Sequence, residues 1–208
     1  MPTFFYAAAI GYILGSFPAG YLVAKLAGVD IRELGSGNIG ATNVTRVLGK
    51  KFGYPVFAFD LAKGLASVEL ARMVARAAQL SAEYVDLCAV IGAIFSVIGH
   101  SYSIWLGFRG GKGVATSLGA LLAINWVSAL IACGVWVLVF FITGYVSLAS
   151  IAAVIALPAT IGIMLFSKEP TSPVLLYFSL CLAAIVIVRH RANLSRLLKG
   201  TEPRFVRK

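Results

Sequence analysis

The sequence predicts an all-α integral membrane protein, a seven-helix bundle in which some helices are short and only half-spanning. Three observations predict it. The chain is 60% hydrophobic and only 12% charged, far from the balance of a soluble domain. The apolar residues collect in long runs, and no Asp, Glu, Lys or Arg lies between Gly113 and Ser167. The net charge of +10 sits at the ends of those runs, where positive-inside topology puts it. No basic surface interleaved with aromatics is present, so nucleic acid is not an expected partner. Anionic lipid at the membrane surface is.

The candidate spans are 4–24, 52–71, 87–99, 114–124, 126–142, 145–166 and 173–188. The first lacks a basic flank before it and is too long for a signal-peptide core, so it is expected to be a retained span. The segment 114–142 reads either as one long helix or as two passes turning near Asn125-Trp126, and charge separates the two. With the N-terminus outside and two passes, 15 of the 18 Lys and Arg residues fall inside; with one pass the split is even. Two passes are therefore expected, with the C-terminus cytoplasmic. Segment 114–124 then reaches only about 16 Å at 1.5 Å per residue. Segment 87–99 is also short, so the loop joining them is expected to sink into the inner leaflet and line a cavity.

Polar residues cluster in three places, all on the expected cytoplasmic face. The first is Gly35-Ser-Gly-Asn-Ile-Gly-Ala-Thr-Asn-Val-Thr-Arg46. Its glycines match a dinucleotide fingerprint by letters, but that motif needs a βαβ unit and membrane spans flank it here. The expected structure is a turn, then a short helix capped near Thr42 and stopped by Gly49, with Asn43 and Arg46 on one face. Ser36, Asn38 and Arg46 would together hold an oxyanion.

The second cluster is the loop Gly107-Phe-Arg-Gly-Gly-Lys-Gly113, with His100, Ser101 and Thr116 nearby. Glycine amides, Arg109, Lys112 and a helix starting at Val114 suit a phosphate. Leu106 and Gly113 stand where a Walker A loop needs Gly and Ser or Thr, so no nucleotide is implied. The third is Arg189-His190-Arg191-Ala-Asn193-Leu-Ser-Arg196. If the last helix continues through it, Arg189, Asn193 and Arg196 share a face. A basic stop-transfer flank would explain the arginines but not His190 or Asn193.

Smaller features complete the inventory. Asp60 and Lys63 form an i, i+3 ionisable pair inside the second span, either functional or self-neutralising. Ser147 follows the Thr143-Gly144 turn. Arg72 and Arg76 face Glu69, Glu83 and Asp86 across an outer solvated surface. Cys88, Cys133 and Cys181 sit singly in apolar runs with no metal spacing, and neither a metal nor a cofactor is expected.

Together the three clusters resemble a known family. Ser36-Gly-Asn-Ile-Gly-Ala-Thr-Asn-Val-Thr-Arg46, Gly99-His-(x8)-Arg109-Gly-Gly-Lys-Gly-Val-Ala-Thr116 and His190-Arg-Ala-Asn-Leu-Ser-Arg-Leu-Leu-Lys-Gly200 look like the three motifs of the bacterial acyl-phosphate:glycerol-3-phosphate acyltransferases (PlsY). Tyr145-Val-Ser-Leu-Ala-Ser150 adds to the match. Ser103 stands where proline is frequent in that family, Arg109 where lysine is, and Leu194 where isoleucine is.

The resemblance implies one transmembrane acyltransferase domain over 1–208. It implies a multi-pass protein of the bacterial inner membrane that makes lysophosphatidate from acyl phosphate and glycerol 3-phosphate at the cytoplasmic side. His190, Lys112, Asn193 and Ser36 would be catalytic. Asn38, Arg46, Gly110, Gly111, Lys112, Gly113, Thr116, Ser147 and Arg196 would bind the phosphates.

The chemistry fits these residues independently. Acyl phosphate has a good leaving group, and no Ser/His/Asp triad is visible among only 8 acidic residues. Direct attack without an acyl-enzyme is expected, with either His190 or a substrate phosphate as base. The competing class is an organic-phosphate transporter or channel, but such proteins usually show repeats and a midplane site.

Overall fold

A computed structural model of the chain describes residues 2–167 and 172–205. Lys168, Arg207 and Lys208, which entered the charge count, lie outside the described residues. Those described form ten α-helices and no strand, and the chain is an all-α integral membrane protein. All seven expected segments fall on helices. They make two compact units, Met1–Ile124 and Asn125–Lys208.

In the first unit, α1 (Pro2–Ser16) and α2 (Ala19–Leu26) share one apolar stretch. Proline at position 18 has no N–H to continue the ladder, so the expected single helix breaks at Phe17-Pro18. α3 (Ala41–Leu48) is the short helix of the first polar cluster, and α4 (Lys50–Ala77) follows directly. Gly49 ends one and starts the other at φ 88°, in the left-handed region that favours glycine.

α5 spans Ala82–Ser101. It starts five residues before the apolar segment because Glu83, Tyr84 and Asp86 belong to its first turns. It is a full-length helix, which corrects the expectation that both helices beside the glycine-rich loop are short. A 3-10 turn, Ile104–Leu106, leads into that loop. Only α6 (Val114–Ile124) is short.

Small residues let these helices approach closely, as in other membrane bundles. A Cβ on Gly11 would strike the Gly92 carbonyl, and one on Gly64 the Thr116 carbonyl. Apolar cores result. Ala7, Ala71, Ala75, Val85 and Cys88 pack at one end of the unit, and Ala24, Ile31, Ile39, Val44 and Val56 pack beneath the first polar cluster. Arg72, expected on a solvated face, pairs with Glu69 at 2.7 Å and donates to the Ala123 carbonyl at 2.8 Å. It thereby closes the C-terminal end of α6.

The second unit holds α7 (Trp126–Thr143), α8 (Val146–Phe166), α9 (Pro173–Arg189) and α10 (Arg191–Leu198). The turn expected at Asn125-Trp126 is present: Asn125 is the N-cap of α7, its Oδ1 accepting the Ser128 amide at 2.8 Å. The last helix does not continue through the third cluster. It bends by 60° between α9 and α10, so Arg189 does not share a helical face with Asn193 and Arg196.

Pro2–Leu26, Ala82–Leu106, Trp126–Thr143 and Val146–Phe166 are long and apolar enough to cross a membrane, and α9 with α10 is a fifth candidate as a bent pair. α4 is long enough but interrupts its apolar character with Asp60, Lys63 and further charges. α6 is too short.

Candidate active site

In the first unit the N-terminal polar cluster is knotted by Asn43, buried to 1% exposure. Its Oδ1 accepts the Ser36 amide at 2.8 Å, and its Nδ2 donates to the carbonyls of Leu34 at 2.9 Å and Ile31 at 3.3 Å. Asn43 therefore faces inward while Arg46, three residues on, is exposed. The one-face expectation fails because an amide with three backbone partners is more stable inside, and a guanidinium outside. The cap expected near Thr42 is instead Gly40, without a side-chain cap. Asn38 Oδ1 accepts the Gly40 amide at 2.8 Å, fixing the turn into α3. Ser36 is exposed and Asn38 half-buried. Before this turn, the Arg32 guanidinium and amide hydrogen-bond Asp30 and hold its carboxyl down to about 2.

The glycine-rich loop is built differently from a phosphate cradle. Gly110 N–H donates to the Ser101 carbonyl at 3.1 Å and Gly111 N–H to the His100 carbonyl at 2.9 Å. The amides of Gly107, Phe108 and Arg109 also bond to carbonyls, of Ile104, Ser103 and Leu106. The Gly110 and Gly111 amides close the C-terminal end of α5, whose last carbonyls lack intrahelical donors, and the other three close the 3-10 turn after it. This corrects the expected role of the Gly110 and Gly111 N–H groups.

The donors that helix geometry does leave for a ligand are those of the first turn of α6, which opens after Gly113 at φ 80°. Thr116 lies in that turn, fully buried, and its Oγ1 makes no hydrogen bond among the described residues. Lys112 is half-buried at the junction and Arg109 exposed. Tyr102, Trp105 and Phe108 are exposed around the loop, as aromatic residues at a membrane interface are.

In the second unit the polar groups gather on one carboxylate that sequence reasoning missed. Glu202 Oε1 accepts from Ser147 Oγ and Asn193 Nδ2, each at 2.6 Å, and Oε2 accepts from Arg196 Nε at 2.8 Å. Asn193 and Arg196 reach it together because they are i, i+3 on α10. The tail is fastened beside them: Phe205 N–H donates to the Gly144 carbonyl at 2.9 Å, and the Arg204 guanidinium lies over the Tyr145 ring at 5.2 Å.

Burial alone would raise the Glu202 carboxyl. Hydrogen bonds from Ser147, Asn193 and Arg196, with the Arg196 charge, outweigh it and hold the carboxyl below the ordinary glutamate value. A signal existed in the sequence: Glu202 is the lone acid among seven Lys and Arg residues from Arg189 to the end of the chain.

These hydrogen bonds constrain what the side chains present to a substrate. Ser147 has one hydroxyl hydrogen and gives it to Glu202, so toward a substrate it presents lone pairs. That changes the phosphate-donor role expected of it. Arg196 commits its Nε–H to the carboxylate and carries further donors on its terminal nitrogens. His190, 2% exposed, sits at the α9–α10 bend with Nδ1 2.8 Å from the Val186 carbonyl. A carbonyl only accepts, so Nδ1 carries the hydrogen. In the neutral ring Nε2 then holds the lone pair, the state a general base requires. Among the described residues no cluster of His, Cys, Asp and Glu is arranged to hold a metal.

A family model described as glycerol-3-phosphate acyltransferase matches residues 5–200. A glycerol-3-phosphate acyltransferase of Acaryochloris marina is 44% identical over 96% of this chain and 91% of its own length. Another from Thermosynechococcus vestitus is 47% identical over 95% and 93%.

Among solved structures, the glycerol 3-phosphate form of PlsY (YgiH), an integral membrane glycerol 3-phosphate acyltransferase, superposes with a TM-score of 0.84. It is 40% identical, over 98% of this chain and 96% of that one. Its lysophosphatidic acid form gives 0.81 at 38% identity, over 98% and 95%. The chain belongs to the glycerol-3-phosphate acyltransferase family.

Proposed function

We propose that this protein transfers a fatty acyl group from acyl phosphate to the 1-hydroxyl of glycerol 3-phosphate, releasing lysophosphatidate and orthophosphate as the entry step of phospholipid synthesis. It acts as one catalytic domain over 1–208, in the bacterial inner membrane, with the chemistry on the cytoplasmic side. The observation that carries the reading is the set of hydrogen bonds around α10. It gathers Ser147, Asn193 and Arg196 on Glu202 at 2.6–2.8 Å and sets His190 Nδ1–H against the Val186 carbonyl at 2.8 Å, which orients a set of hydroxyl, amide and imidazole groups suited to a polyol.

Lys112, Arg46, Ser36, Asn38 and the first turn of α6, with Gly113 and Thr116, supply positive charge and donors for phosphate. Gly110 and Gly111 contribute by shaping the approach to Lys112. His190, Asn193 and Ser147 orient the glycerol hydroxyl, and the remaining Arg196 donors face phosphate.

The C1 oxygen attacks the acyl carbonyl. The tetrahedral oxyanion collapses, the carbon–oxygen bond to phosphate breaks, and orthophosphate leaves. The hydroxyl proton passes to His190 Nε2 or to a substrate phosphate. Positioning and oxyanion stabilisation supply the rate, and no acyl-enzyme forms.

The test is purified protein in detergent with acyl phosphate and glycerol 3-phosphate. Orthophosphate release matched by lysophosphatidate is the expected result. No turnover in detergent, together with uptake of organic phosphate into vesicles, would instead establish a transporter.

A further inference from the structure

Beneath the glycine-rich loop lies a buried ionic cluster to which the transfer chemistry assigns no part. Asp60 and Lys63, one turn apart on α4, have side chains each 4% exposed, with Nζ 2.7 Å from Oδ1. Lys63 Nζ also donates to the Phe17 carbonyl at 2.9 Å, at the break that Pro18 makes between α1 and α2. The same Asp60 oxygen lies 3.5 Å from His100 Nδ1. The opposite edge of the His100 ring lies against the loop: a Cβ on Gly111 would collide with Nε2. The His100 carbonyl accepts the Gly111 amide at 2.9 Å. His100 thus holds Gly111 by its backbone and its ring, and Asp60 contacts the ring. Lys112 is the next residue.

A buried ion pair is weak support for a fold, since apolar residues of similar volume are often as stable. Packing alone does not call for this cluster. We propose that Asp60, Lys63 and His100 are positioning residues that set the Gly110–Gly111 turn, and through it hold the Lys112 ammonium and the first turn of α6 where a substrate phosphate is bound. The inference rests on the role proposed above for Lys112.

The experiment compares Asp60→Leu/Lys63→Met and His100→Gln in the native background and in Lys112→Ala. It measures kcat/KM with glycerol 3-phosphate and acyl phosphate, and thermal unfolding in detergent. The double replacement removes both charges and leaves neither unpaired, and His100→Gln leaves the ion pair whole. Residues acting through Lys112 are coupled to it. The expected result is a loss of about tenfold or more in the native background, less than about threefold when Lys112 is already alanine, and unfolding within a few degrees of wild type. Equal losses in both backgrounds, no loss, or failure of both variants to fold would overturn the inference, the last two outcomes marking the cluster as dispensable or purely structural. Failure of the Lys112 reading is visible separately, as a Lys112→Ala single variant with wild-type activity.

Discussion

Replacing Glu202 by glutamine removes the carboxylate that orders the second unit's polar groups, and its effect follows from three hydrogen bonds. Oε1 serves Ser147 and Asn193, and Oε2 serves Arg196. Glutamine keeps an oxygen for the first two but turns an NH2 toward the Arg196 Nε–H, donor against donor. The loss is one hydrogen bond to a charged group, about 1.5–3 kcal/mol. Arg196 is 36% exposed on its side chain, so solvent screening brings the loss to the lower end, about 1.5 kcal/mol. For a domain of this size that lowers the unfolding midpoint by about 3–6 °C.

Alanine at this position removes all three acceptors and leaves the Ser147 and Asn193 donors unmatched. It costs roughly 3–6 kcal/mol, which by the same conversion lowers the midpoint by about 6–24 °C. Because Asn193 and Ser147 lose their orientation, kcat/KM falls about tenfold for alanine even well below the midpoint. The assays are tryptophan-detected unfolding in detergent and initial rates at a temperature where both forms are folded. Native unfolding and native kcat/KM in both variants would refute the role given to this carboxylate.

The pH dependence has a definite sign. The folded-state value of Glu202 is lowered, so its contribution is present above the ordinary glutamate value and is lost as pH falls through the folded value. The clamp is therefore insensitive to pH from about 5 to 8.

Three further expectations follow from named contacts. Lys112→Ala loses turnover by about a hundredfold or more as a phosphate ligand; if His190→Ala keeps near-normal turnover beside it, the proton goes to a substrate phosphate and not to Nε2. Asn43→Ala unmakes the Ser36, Leu34 and Ile31 bonds, lowers stability by about 3 kcal/mol, and raises the KM of a phosphate-bearing substrate; an unchanged KM in folded protein would separate the Asn43 knot from substrate binding. Accessibility labelling at Gly200 is expected to report the cytoplasmic side, and labelling from the outside would reverse the topology assigned by charge.

What could be read from the sequence divides along physical lines. The break at Asn125 was legible because charge partition responds to the number of passes, and a long apolar run by itself does not. The three polar clusters were legible because buried or membrane-facing polar residues need a reason to be there. The fate of the Gly110 and Gly111 amides was not legible. Whether an N–H meets an anion or the end of α5 depends on φ and ψ, which residue types do not specify. The early start of α5 was hidden because Glu83 and Asp86 interrupt its apolar pattern. Glu202 escaped notice because its partners come from Ser147, 55 positions away, and from α10 across a turn. Only its isolation among basic residues marked it.

The central claim is direct acyl transfer from acyl phosphate to glycerol 3-phosphate. It is tested most directly by initial rates of the purified protein, with acyl phosphate varied at several fixed concentrations of glycerol 3-phosphate. Direct transfer predicts intersecting double-reciprocal lines and one orthophosphate released per lysophosphatidate formed. Parallel lines with a trapped acyl-enzyme, or turnover only with a thioester donor, would contradict it.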